Sequence, residues 1–121
     1  MTLDFLDFDY SEDAQGHGSF DAMAAASPAQ LPALQAEVVA VLAWAYRQFP
    51  DGRAALDDGG QWDYALHGVQ ETPCPLALAY EAGGTLTMRP GAPGPARVTL
   101  DLTLAGTPAF CAAFRQAFNM A

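Results

Sequence analysis

The chain has no lysine, no isoleucine and a single asparagine, Asn119, and it holds only five arginines and two cysteines among 121 residues. Each shortage excludes something. Lysine, isoleucine and asparagine have AT-rich codons, so their scarcity beside abundant Ala, Gly and Pro reads as the coding bias of a GC-rich, bacterial genome and says nothing about chemistry. Five cations against fourteen acids leave a net charge of −9. That sign excludes the ordinary route to nucleic acid, in which cations displace phosphate counterions, and it disfavours anionic membrane. Cys74 and Cys111 form neither a disulfide framework nor a metal-ligand spacing. Free thiols are expected, Cys74 exposed between two prolines and Cys111 as a small buried apolar residue. No cationic segment leading into an apolar run opens the sequence, and no stretch approaches the roughly 18 apolar residues of a membrane span. The expected location is cytoplasmic.

What is present suits one globular domain. Hydrophobic residues make up 51% and charged residues 16%, and a chain of this length buries roughly two thirds of its unfolded surface. A single domain over residues 1–121 is expected.

The most strongly periodic stretch is Ser27 to Phe49. Leu31, Leu34, Val38, Val41, Leu42, Ala45 and Phe49 recur at steps of three and four, which places them in one stripe of an amphipathic helix. Ser27 and Gln30 are spaced to cap its start reciprocally. Pro32 cannot donate its amide, which allows residues 28 to 31 to be a separate tight turn. Pro50 and the Asp51-Gly52 turn end the helix. Its other face carries only Glu37 and Arg47 among Ala33, Ala36, Ala40, Ala43 and Trp44. Alanine needs no reason beyond helix propensity, but small residues beside one Trp also suit a partner or homodimer contact.

Elsewhere the period is two. Residues 3–10 set Leu6, Phe8 and Tyr10 against Asp7 and Asp9 as a strand with one buried face, and residues 19–26 read as its returning partner across a Gly16/Gly18 turn, although their alanines would serve a helix as well. Trp62, Tyr64 and Leu66 begin a strand that VQETPCP interrupts. Leu76, Leu78 and Tyr80 resume the alternation, and an AGG turn leads to Leu86 and Met88 in an antiparallel pair. PGAPGP must be an exposed connection. Val98, Leu100, Leu102 and Leu104 then alternate with Arg97, Thr99, Asp101 and Thr103. Thr107 caps and Pro108 opens a last helix with Phe110, Cys111, Phe114 and Phe118 on one side. The order β-β-α-β-β-β-β-α predicts an α+β two-layer sandwich, a largely antiparallel sheet with both helices on one face. The other sheet face would be bare and polar, and all six strands would share one interior.

Candidate sites follow from that frame. Asp7, Asp9, Ser11 and Asp13 space oxygen ligands as the opening of a calcium loop does, yet Glu12 stands where the loop needs glycine and Gly18 where it needs a closing glutamate. Outward aspartates on a strand give the same spacing, and no metal or other cofactor is expected. No phosphate-cradling glycine loop and no nucleophile elbow occurs. The reading this supports is a small, acidic, non-catalytic protein-binding module. Its contact residues would be Trp44 and Arg47 on the helix, with Asp7, Asp9, Glu12 and Asp13 receiving a basic surface. The alternative is a small-molecule or metal-dependent enzyme on the polar sheet face, with Asp63, His67 and Asp101 as acid and base.

The profile of size and charge resembles that of bacterial secretion chaperones and of toxin-neutralising immunity proteins. Secretion chaperones begin with a helix, whereas this chain begins with strands. The stretches FDYSED, FDAMA and GGQWDYAL resemble those of small uncharacterised bacterial proteins, a resemblance that implies no activity.

Overall fold

Among the described residues two helices and six antiparallel strands follow one another in the expected order, an α+β fold with open sheets. The computed structural model describes residues 1–120. Strands β1 (Asp9–Glu12), β2 (Gly18–Ala26), β3 (Trp62–Glu71) and β6 (Arg97–Gly106) form a four-stranded sheet in the order β1-β2-β6-β3. Strands β4 (Leu76–Glu81) and β5 (Thr85–Pro90) form a sheet of their own. Helices α1 (Leu31–Gln48) and α2 (Pro108–Ala117) both cover the face that carries Phe20, Ala22, Ala24, Trp62, Leu102 and Leu104.

The core is an aromatic slab. Phe110 stacks on Trp62 with ring centroids 5.7 Å apart, Phe114 lies 4.2 Å from Phe20, and both phenylalanines meet Trp44 of α1 edge-on. The spacing that predicted an apolar side for α2 thus binds it to the sheet and to α1 together. Thr107 accepts from the amide of Phe110 and caps α2, as its position implies. Ser27 and Gln30 exchange side-chain-to-amide hydrogen bonds in a reciprocal cap. The regular helix starts only at Leu31, with Pro32 in its first turn and residues 28–30 as the turn before it.

Three expectations need correcting. Trp44 is not on an outward face: it is 8% exposed and packs on Phe110, Phe114 and Phe118. A helix touched by two neighbours, a sheet and a second helix, needs an apolar stripe wider than one row, and Trp44 supplies its flank. Residues 3–8 are not a strand. Glu37 accepts from the amides of Asp4, Phe5 and Leu6 at 2.9 to 3.1 Å, so these amides serve a carboxylate on α1 in place of a ladder. The segment runs over the helices with Leu6 buried and Leu3, Phe5 and Phe8 half-buried, and pairing begins at Asp9. Finally, β4 and β5 do not share the common interior.

Burial of Trp44 sets a clear outcome. Trp44→Ala is expected to cost about 3–5 kcal/mol in urea unfolding, while Arg47→Ala, at an exposed position, changes it by less than about 0.5 kcal/mol. Glu37→Ala is expected to cost roughly 1–2 kcal/mol, because hydrogen bonds to a half-buried charge are lost. Amide exchange at Asp4, Phe5 and Leu6 should then rise well above that of the β2–β6 ladder; unchanged protection there would show that Glu37 does not hold the segment.

Candidate interaction site

Strands β3 and β6 pair from Trp62↔Gly106 to Glu71↔Arg97, and β2 reaches only Ala26, opposite Val98. Beyond that level the sheet is two strands wide and then ends. Residues 72–75 and 91–96 follow, where prolines 73, 75, 93 and 95 remove ladder donors. Two bonds still tie them, Gly91 N–H to Pro75 O at 2.7 Å and Gly94 N–H to Pro73 O at 2.8 Å. β4 and β5 then resume pairing from Leu76↔Pro90 to Glu81↔Thr85. Gly84, at φ +93°, closes the tip in the left-handed region that a three-residue hairpin loop requires. The result is an arm that leaves the body of the protein.

The arm is amphipathic with its apolar side uncovered. Register and the period of two put Leu76, Leu78, Tyr80, Leu86, Met88 and Pro90 on one face and Ala77, Ala79, Glu81, Thr85, Thr87 and Arg89 on the other. The five large side chains among the first six are 54% to 73% exposed. Val69 and Leu66, lower on β3, are exposed as well. Covering each of the five is worth roughly 1–2 kcal/mol, a large sum beside the about 5–15 kcal/mol that holds an ordinary domain together. A hairpin of two strands is also marginal in water without a surface to lie on.

The residues singled out from the sequence are dispersed. Asp7, Asp9, Glu12 and Asp13 are exposed on the N-terminal segment, on strand β1 at the sheet edge opposite β3, and in the turn that follows β1. Glu12 accepts the Tyr10 hydroxyl at 2.7 Å, which helps push Tyr10 up to about 12. Asp13 accepts from the amides of Gln15 and His17 and so builds the turn. Gly18, after that turn, has no room for a side chain, since a Cβ would lie 2.6 Å from Cys111 Sγ and from the Tyr10 ring. Cys111 is buried, which raises its thiol pKa, and Cys74 is exposed at the base of the arm. Among the described residues no group of three or more His, Cys, Asp or Glu is arranged to hold a metal.

On the bare sheet face His67 stands directly across from Asp101, but Asp63 lies four residues from His67 along the same strand, ~13 Å away. Arg53 Nε donates to Asp63 at 2.8 Å. The three are therefore not brought together as a set. Asp101 associates instead with Asp21, which accepts from Thr103 Oγ1 at 2.7 Å. A hydrogen bond shared with Asp21, together with partial desolvation and the repulsion of a second carboxylate, raises the Asp101 pKa. Oδ1 of Asp101 is shut off from solvent without a partner, although the residue sits on open sheet surface. An open cleft of about 430 Å³ lies between the N-terminal segment and Phe118, and another of about 370 Å³ beside Glu12 and His17. Neither encloses the sort of apolar cavity that surrounds a small ligand. No helix among the described residues is long and apolar enough to cross a membrane. The chain matches no family model, no curated protein and no solved structure.

Sequence reasoning did identify the β4–β5 alternation but placed it in the common core. The signal that separates it is the pair of proline-rich interruptions on both sides.

The carboxyl pair has a pH signature. Folding raises the Asp101 pKa above its ordinary 3.8, so the pair adds stability in acid and gives it up as pH rises through the raised value. Asp101→Asn is expected to raise Tm by a few degrees at pH 7 in thermal melts, with the gain fading towards pH 3; a lower Tm at pH 7 would rule out repulsion by Asp21 as the cause.

Proposed function

We propose that this is a small, acidic, non-catalytic protein-binding module of accessory type, and that its binding element is the β4–β5 arm. One observation carries the reading: five large apolar side chains occupy a single face of a hairpin that no other described residue covers. Scattered exposed apolar residues are ordinary, whereas a contiguous patch of this kind marks a contact surface. The flat face fits a protein better than a small molecule, which needs a concave site. The charge of −9 argues against nucleic acid and anionic lipid as occupants. The acidic residues 7–13 then act at longer range, steering approach without forming the contact.

A photo-reactive amino acid placed at Tyr80 tests this in the source cell. Irradiation is expected to give a discrete protein adduct, and the same group at Gln35, exposed on α1, to give none. Absence of any adduct at Tyr80 would refute the arm as a binding element.

A further inference from the structure

Resting on that reading of the arm, we infer that its occupant is a second copy of this chain, with the apolar faces of two β4–β5 hairpins packed on one another about a two-fold axis. Charge is the first reason. From residue 66 to residue 97 the acids Glu71 and Glu81 are matched by Arg89 and Arg97, so the whole −9 resides in the rest of the chain. Contacts through the first 21 residues or through residues 51–63 would set acid against acid, and at the arm that penalty is absent. A basic partner would be drawn to the body and past the arm.

Shape and area agree with a self-contact. Leu76, Leu78, Tyr80, Leu86 and Met88 lie on a face without a charged residue, and such a face is complementary to itself, as an isologous contact requires. Together they offer on the order of 600 Å² per copy, near the ~800 Å² per partner of a standard interface. Two hairpins stacked face to face, ~10 Å apart, complete a small β-sandwich and give each arm the support that a lone hairpin lacks. Aligned tip to base they also leave the two acidic bodies at opposite ends, with Glu81 and Arg89 on the outer faces, clear of the contact.

Sedimentation velocity of the purified 121-residue chain at micromolar concentration is the test. A species of twice the single-chain mass is expected. Leu78→Asp combined with Leu86→Asp should weaken association by at least about a hundredfold, while the near-ultraviolet circular dichroism of the Trp44 and Trp62 core stays unchanged. Raising the salt should tighten the dimer, because screening relieves the repulsion of the bodies. A monomer throughout, a dimer untouched by the double substitution, or a dimer that loosens with salt would overturn the inference. If the chain is monomeric and the Tyr80 adduct holds a different protein, the second-copy assignment falls and the binding reading stands; if there is neither dimer nor adduct, both fall.

Discussion

The stacking of Phe110 and Phe114 between the sheet and Trp44 is the contact on which the rest depends. It seats α2 across β2 and β3 and brings α1 against α2, so both helices lie over the same end of the sheet. Two helices can bury only what lies beneath them. Phe20, Ala22, Ala24, Ala26, Leu102, Leu104 and Trp62 are covered, Leu100 and Tyr64 are half covered, and β3 from Leu66 onward is bare, as are β4 and β5. The arm is thus a consequence of where the covering stops. Its apolar face is the part of the alternating pattern for which the described residues supply no third helix.

Charge follows the same division. The body carries the acids that neither Glu37 nor the Arg53–Asp63 pair absorbs into its own framework. Glu37 in particular looks like a surface charge on an alanine-rich helix, and it acts as the clamp for the N-terminal segment through three amides. Trp44, the residue that suggested a contact surface on that helix, is buried against α2. Five of the exposed large apolar side chains lie together on the neutral arm.

Most elements were legible because their signals are local. The α1 stripe, the Ser27/Gln30 cap, the Thr107-Pro108 start and the alternation of β6 each depend on residues within a few positions of one another, and each was found where expected. Residues 19–26, rich in alanine, would serve a helix as well; they form an inner strand paired with β6 throughout and with β1 as far as Asp21. Two readings failed for lack of non-local information. The Asp/Phe alternation of residues 3–8 looks like a strand, but its amides were taken by a glutamate some thirty residues away. Trp44 looks like an outward residue if α1 has one neighbour, and it is a core residue because α1 has two. The candidate catalytic set divided for a geometric reason, since two residues four apart on one strand share a face without meeting.

By itself the sequence determined the order of elements, their caps and turns, the inward-facing rows and the sign of the charge, since periodicity, proline chemistry and composition act over short distances. Only the tertiary structure decided which of those apolar rows would be covered. Leu100 and Leu102 have the same alternation as Leu76 and Leu78, and a pattern of period two states that one face is apolar without stating what lies against it. That depends on how much surface α1 and α2 can reach once Phe110 and Phe114 have docked, a quantity that belongs to the assembled chain and to no single segment.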